Sequence, residues 1–362
     1  MPLNMSIIAV LAAMLIAYGS VPLAIRIAPR INAIDEPDQR KVHQVAMPRV
    51  GGIAIFLAFI FVMLIFIPKS AQVNGLIIGA AIVFGTGLLD DIFDLPAWVK
   101  LLAQILAAAV AIFSGIVVSF VTNPFDGMLN LGYLSIPITL LWIVGITNAI
   151  NLIDGLDGLA AGVSAIAGCT MGIVTLLNGQ TVAAVMAFIL VAAVLGFLPY
   201  NFYPARTFMG DCGSNLLGFV LGCLAILGLT KSAAIISLFI PIIILVIPIF
   251  DTFFAIVRRI YNKTPIFSPD KDHLHHRLMG MGFSHQNSVL IIYGISGFFG
   301  VIAIVMSSIS SPKVTLILSL LLLLLILGAF KIGLMTGDKP RVQIESEQYA
   351  EMDGEFLDTE GH

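Results

Sequence analysis

The chain has 362 residues, 59% of them hydrophobic and 11% charged, with a formal net charge of -3 and a mean hydropathy of +1.04. A soluble domain carries about 25% charged residues and under half apolar ones. This composition therefore excludes a water-soluble globular protein and leaves an integral membrane protein.

A helix needs about 20 apolar residues to cross ~30 Å of hydrocarbon. In chain order, such stretches run over 6–27, 51–68, 74–89, 99–121, 131–149, 159–177, 181–200, 214–230, 233–254, 288–308 and 313–335. The expected fold is all-α, a polytopic membrane protein with about eleven transmembrane helices. The first stretch is long for a signal h-region and has no Lys or Arg at its front end, so it reads as a retained helix. Residues 1–337 form one transmembrane domain, and the acidic, polar segment 338–362 reads as a disordered tail. The three cysteines, Cys169, Cys212 and Cys223, lie in or beside apolar segments and read as small core residues or free thiols.

Charge sets the orientation. Arg30, Arg40, Lys41, Arg49, Lys100, Arg206, Arg258, Arg259, Lys263, Lys271 and Arg277 fall on the side of the first connecting loop, whereas Lys69, Lys231 and Lys313 fall on the other. The positive-inside rule makes the first side cytoplasmic, with the N-terminus outside and the C-terminus cytoplasmic. The expected cytoplasmic loops are 28–50, 90–98, 150–158, 201–213 and 255–287. Acids cluster on the same side although they contribute little to orientation, and that clustering asks for a functional site.

The first loop carries Asp35-Glu36-Pro37-Asp38 and Pro48-Arg49-Val50-Gly51-Gly52. In Asp90-Asp91-Ile92-Phe93-Asp94, Asp90 and Asp94 are one helical turn apart, and the acids repel one another unless a cation or donors compensate. The bland alternative is a solvated acidic cap. In Asn151-Leu152-Ile153-Asp154-Gly155-Leu156-Asp157-Gly158, an amide and two carboxylates share a stripe that suits a hard cation or a nucleobase edge; the alternative is a Gly-rich turn with side-chain caps. Phe208-Met209-Gly210-Asp211-Cys212-Gly213-Ser214 is a Gly-rich loop opening a helix, a natural phosphate site, unless Asp211 and Ser214 merely cap that helix. The last loop carries Arg258, Arg259 and then Asp270-Lys271-Asp272-His273-Leu274-His275-His276-Arg277, a cationic donor cluster. Zinc is one reading of the histidines, but no cysteine lies nearby, and phosphate binding suits the Arg/Lys/His mixture better. Asp251, near the end of a span, reads as a structural partner of Arg258 or Arg259. Acids for Mg²⁺, glycine loops and basic groups for phosphates, all on a membrane scaffold, imply phosphoryl transfer between a soluble cytosolic substrate and a lipid phosphate.

The ordered blocks DDIFDL, NAINLIDGLDGLAAG, FMGDCGSNLLG, PIFDT and HLHH resemble those of the polyprenyl-phosphate N-acetylhexosamine-1-phosphate transferase superfamily, glycosyltransferase family 4. Within it, the chain looks most like the bacterial undecaprenyl-phosphate N-acetylglucosamine-1-phosphate transferases that initiate wall teichoic acid, O-antigen or related glycans. His273-Leu274-His275-His276 departs from the three consecutive histidines usual in phospho-N-acetylmuramoyl-pentapeptide transferases, the alternative assignment. The resemblance implies UDP-GlcNAc and undecaprenyl phosphate as substrates, Mg²⁺ as cofactor with Mn²⁺ as its nearest substitute, a bacterial inner or plasma membrane location, and no nucleic-acid partner. Dimers occur in the superfamily, so a homodimer is an open expectation. The implied catalytic residues are Asp90, Asp91, Asp154, Asp211 and His275. Asn151 and Asp211 would lie at the metal, and Asn151, Asp154, Asp157, Phe208, Arg258, His273, His275 and His276 would contact the uridine, diphosphate or sugar. A transporter is the reading from another class, but transporters place ionisable groups near the bilayer midplane, not at span ends on one side.

Overall fold

The computed structural model describes residues 2–35, 46–122, 128–229, 239–264 and 273–308, with single positions at 321, 324 and 328. Helices dominate: α1 (Leu3–Ile27), α2 (Gly51–Phe66), α3 (Ala71–Phe93), α4 (Ala97–Phe113), α5 (Ser135–Leu152), α6 (Leu159–Leu177), α7 (Thr181–Asn201), α8 (Gly210–Leu229), α9 (Phe239–Ile244), α10 (Val246–Tyr261), α11 (Leu274–Gly280) and α12 (His285–Ser307). Two short antiparallel pairs join loops: β1 (Ile34–Asp35) with β2 (Met47–Pro48), and β3 (Phe120–Thr122) with β4 (Met128–Asn130). Among the described residues, 7 helices are long and apolar enough to cross a membrane, and α2 and α4 are shorter apolar helices. The chain is an all-α, multi-pass membrane protein. Its described cysteines are all free thiols.

α8 is the centre of the bundle, packed against α3 and α5 and also meeting α2 and α6. Its Gly-rich surface allows this. A Cβ on Gly218 would lie 2.6 Å from Thr147 Cα on α5, and a Cβ on Gly87 of α3 would lie 2.6 Å from the Asp211 carbonyl oxygen. Small residues let membrane helices approach this closely, where dispersion and interhelical hydrogen bonds replace the missing hydrophobic drive.

Several boundaries differ from the apolar runs. α3 begins where the Ser70 hydroxyl caps the Val73 N–H at 3.2 Å and continues to Phe93, past the predicted end at 89, because its last turn is polar yet still helical. α4 stops at Phe113, not 121: Ser114-Gly115 ends it, with Gly115 at φ +90, and the chain turns into β3. α8 starts at Gly210, before the predicted 214, because its first turn is capped from another helix, as described below. The predicted single span 233–254 is broken at Leu245 between α9 and α10. Pro248 has no N–H for the Ile244 carbonyl, and its ring crowds that turn. The long loop 255–287 is partly helical, in the end of α10 and in α11. The predicted span 313–335 and the tail 338–362 lie outside the described residues, apart from positions 321, 324 and 328.

Candidate active site

The ends of α3, α5 and α7 and the beginnings of α2, α8 and α12 surround a cavity of about 600 Å³. Its walls carry Asp35, Asp90, Asp91, Asp154, Asp157 and Asp211, together with Asn151 and Phe208. Four segments distant in sequence therefore supply acids to one space. Six carboxylates facing one cavity repel one another unless cations or donors offset them.

The offsets are visible for five of them, beginning with Asp90, Asp211 and Asp91. Lys100, from the first turn of α4, places its ammonium 2.8 Å from Asp90 Oδ2 and 2.8 Å from Asp211 Oδ2. The Leu95 N–H donates to the other oxygen of Asp90 at 2.7 Å, so this carboxylate is fixed on both sides. The Asn151 amide nitrogen donates to Asp211 Oδ1 at 3.2 Å and to the Ser214 hydroxyl at 2.8 Å. Asp91 does something different. Its two oxygens accept the N–H groups of Asp211 and Cys212 at 2.8 and 3.0 Å, capping α8 from α3. The sequence suggested that the α8 N-terminus offers free N–H groups to a phosphate; two of those groups are instead taken by Asp91. Gly210 makes the arrangement fit. It sits at φ +74, and a Cβ there would strike the Arg49 carbonyl and lie 2.6 Å from Asp91 Oδ2.

Behind Lys100, on the same face of α4, lies Gln104. It donates to Asn215 Oδ1 at 2.9 Å and accepts from the Asn148 amide at 2.6 Å, while Asn215 donates to the Asp211 carbonyl at 2.8 Å. This amide network ties α4, α5 and α8 around the lysine, in a region where unpaired polar groups are costly.

On the opposite wall, Asp157 accepts the Ala205 N–H at 2.9 Å, and its own N–H donates to His285 Nε2 at 3.0 Å. The Asn201 side chain accepts the Gly158 N–H at 3.1 Å and so holds the same turn. Asp154 sits between these groups. Burial, with the charges of Asp211, Asp91 and Asp157, pushes its carboxyl up to about 8. A carboxyl so raised is protonated at neutral pH in the folded protein and ionised in the unfolded one, so its stabilising protonation is lost as pH rises toward 8. In metal-free detergent, the wild-type thermal midpoint is expected to fall between pH 6 and 8.5 more steeply than that of Asp154→Asn. Parallel curves would show that Asp154 does not titrate there.

The histidine block is arranged in depth. His273 Nδ1 meets Asp251 Oδ2 at 2.8 Å, and the Leu274 N–H donates to Asp251 Oδ1 at 2.9 Å. Asp251 thus serves this block, whereas the sequence suggested Arg258 or Arg259 as its partner. His275 lies parallel to His273, with ring centroids 5.9 Å apart, and next to His276 at 4.2 Å. His276 and His285 reach the cavity; His273, His275 and Arg258 are buried behind its lining. Burial, and then His276, pushes the His275 imidazole down to about 3. It is neutral at physiological pH, which corrects the expectation of a cationic donor at this position. Its Nε2 packs on Gly155, where a Cβ would lie 2.5 Å away. Gly155→Ala is expected to separate the Asp154–Asp157 turn from this imidazole, cost about 1–3 kcal/mol of stability, and lower activity. A variant with wild-type melting and turnover would contradict that packing.

Of the residues singled out in the sequence, the structure brings Asp90, Asp91, Asn151, Asp154, Asp157, Phe208, Asp211 and His276 together on one cavity. It gives a place to Arg49, which the sequence offers only as part of the segment 48–52, and adds Lys100, Gln104 and His285, which the sequence alone does not mark as site residues. Their only signal was polarity at the end of, or within, an apolar helix. The donor set is rich in hard oxygens. Asn151 donates its amide nitrogen to the Asp211 carboxylate and the Ser214 hydroxyl, its carbonyl oxygen makes the donor set harder still, and such a set suits Mg²⁺.

The sequence profile of glycosyl transferase family 4 matches residues 73–229. That range contains the Asp90-Asp91, Asn151–Asp157 and Phe208–Ser214 segments of the cavity. The "Probable undecaprenyl-phosphate N-acetylglucosaminyl 1-phosphate transferase" of Bacillus subtilis (strain 168) is 47% identical over 304 residues, covering 83% of this chain and 85% of that protein. A decaprenyl-phosphate N-acetylglucosaminephosphotransferase of Mycobacterium leprae is 36% identical, covering 78% of this chain and 79% of that one. An undecaprenyl-phosphate alpha-N-acetylglucosaminyl 1-phosphate transferase of Yersinia pestis is 28% identical over 85% of each chain. With the cavity acids inside the matched region and relatives aligned over most of their length, the chain belongs to glycosyl transferase family 4, the polyprenyl-phosphate N-acetylhexosamine-1-phosphate transferase superfamily.

Proposed function

We propose that the protein transfers GlcNAc-1-phosphate from UDP-GlcNAc to undecaprenyl phosphate, giving GlcNAc-diphosphoundecaprenol and UMP. The observation that carries this reading is the Lys100-bridged pair Asp90 and Asp211 at the wall of an acid-lined cavity, at the ends of apolar helices. The names of the relatives support the choice of sugar phosphate and acceptor. The full topology in this reading has about eleven spans, the N-terminus outside, and the cavity and C-terminus cytoplasmic. The membrane is the bacterial inner or plasma membrane, and the product starts a surface glycan such as teichoic acid.

A phosphate monoester has a second pKa near 6, so the lipid phosphate arrives mostly dianionic. An oxygen of that phosphate attacks the donor's β-phosphorus, a new P–O bond forms, and the bond from that phosphorus to the α,β-bridging oxygen breaks, releasing UMP. Asp90, held by Lys100 and the Leu95 N–H, orients the acceptor or takes its residual proton. Asp211 and Asn151 would hold Mg²⁺, which when bound neutralises phosphate oxygens as the bond to UMP loosens. Asp154, Asp157 and Phe208 border the nucleoside, and His276 faces the diphosphate or sugar. His275, behind the wall, supports the Asp154–Asp157 turn.

The test is a transferase assay over a panel of UDP-sugars with undecaprenyl phosphate in detergent, the lipid product identified by mass. UDP-GlcNAc is expected to be the preferred donor. Preference for UDP-N-acetylmuramoyl-pentapeptide would move the chain to the alternative branch, and no lipid product with any donor would overturn the reading.

A further inference from the structure

The cavity poses a charge problem. Its described lining has six carboxylates, and on the proposed reading it must also admit two phosphate-bearing substrates. Among the described lining residues, Arg49 is the one that carries a fixed positive charge. Lys100 reaches Asp90 and Asp211 from α4 and is committed to that pair.

Arg49 is held firmly by its backbone and loosely by part of its side chain. Its N–H donates to the Ala33 carbonyl at 3.0 Å, and its carbonyl lies against Gly210. On either side of it, the Phe208 N–H donates to Pro48 at 2.8 Å and the Gly51 N–H to Phe208 at 2.9 Å. The arginine is thus pinned against the loop that presents Asp211. One terminal nitrogen, Nη2, is paired with buried Asp35. The other, Nη1, is 3.9 Å from Asp94, beyond hydrogen-bond reach of a carboxylate whose side chain is 92% exposed. A guanidinium has five N–H donors in a planar fork, and this fork spends few of them on close partners.

We propose that Arg49 is an anion-binding residue of the cavity: with Asp35 fixing one edge of the guanidinium, the Nη1 edge turns from Asp94 to a phosphate oxygen. The chemistry recognised is a phosphate group, of either the nucleoside diphosphate or the polyprenyl phosphate. Asp94 is then a placeholder that a substrate phosphate displaces, since a charge-assisted contact at hydrogen-bond distance outweighs an exposed pair at 3.9 Å. The naming of those two phosphates rests on the transferase reading above.

The experiment is equilibrium binding to the full chain in detergent, for wild type, Arg49→Gln and Arg49→Lys. Two matched probe pairs are used: UDP against uridine, and undecaprenyl phosphate against undecaprenol. In Arg49→Gln, one phosphate-bearing probe is expected to bind about 10- to 100-fold more weakly, while its phosphate-free partner binds as before. Weakening confined to UDP assigns the donor, and weakening confined to undecaprenyl phosphate assigns the acceptor. Arg49→Lys keeps the charge beside Asp35 but loses the fork, and an intermediate loss of about 3- to 10-fold is expected. If Arg49→Gln does not fold, Arg49→Lys decides by the same comparison. Unchanged binding of both phosphates, or equal weakening of uridine and UDP, overturns the proposal and leaves Arg49 as an anchor of its loop. If wild type forms no lipid product yet UDP still distinguishes it from Arg49→Gln, the transferase reading fails and the anion site stands.

Discussion

Asp211→Ala is expected to abolish turnover, by about 10³-fold or more, and raised Mg²⁺ is not expected to restore it. Asp211 is where the site's polar groups converge. Its carboxylate accepts Lys100 on one oxygen and Asn151 on the other, and its backbone N–H is received by Asp91. The substitution removes the side-chain contacts and keeps the backbone one, so the α8 cap and the fold survive. Melting temperature and elution profile should therefore stay near wild type while product formation is lost. Near-normal activity in a folded Asp211→Ala would remove this residue from the chemistry.

Lys100→Met should have the second largest effect. Methionine keeps much of the apolar stem in α4 but deletes the charge that lies 2.8 Å from both Asp90 and Asp211. The two carboxylates then face each other without that compensation, Asp90 loses its orientation, and kcat is expected to fall by about 10²-fold or more. The KM for the nucleotide sugar should move far less, because Lys100 is not part of the described cavity lining. A companion variant, Asp90→Asn, separates roles: most activity retained at high pH would make Asp90 an orienting group, and loss at every pH would make it an essential base. A Lys100→Met enzyme with unchanged kcat would show that the bridge is incidental.

The acids were legible in the sequence because charge is rare in this chain. Asp90, Asp91, Asp154, Asp157 and Asp211 each interrupt or end an apolar run, and few structural explanations account for so many on one side of a membrane. Their division of labour was not legible. That Asp91 caps α8 while Asp90 takes Lys100 depends on which way two adjacent side chains leave the last turn of α3, and tertiary packing decides that. Lys100 registered only as a topogenic charge, because its partners are 10 and 111 positions away. Gln104 is hidden in a helix that reads as membrane-crossing, where a single amide leaves the hydropathy almost unchanged. Arg49 stands in a candidate segment without a role of its own, since its place beside Phe208 and Gly210 arises from backbone hydrogen bonds between distant loops. The histidine block is visible in the sequence as a cluster of donors, but not its order in depth. Its burial order, with His276 at the cavity and His275 behind it, follows from Asp251 drawing His273 inward.

Where polar turns bound an apolar run, the run sets the helix, as in α6 and α7, whose limits fall within a residue of the expected 159–177 and 181–200. Elsewhere backbone chemistry overrides hydropathy. Ser114-Gly115 ended α4 inside an apolar run, and Pro248 split one predicted span into α9 and α10.

The most direct test of the proposed activity is UMP release from UDP-GlcNAc by the purified full chain in detergent, with and without undecaprenyl phosphate, and with divalent metal present or removed by chelation. The transferase reading predicts UMP release that requires both the lipid phosphate and Mg²⁺ and matches the lipid product mole for mole. Release that ignores the lipid phosphate, or none under any condition with folded protein, would contradict it.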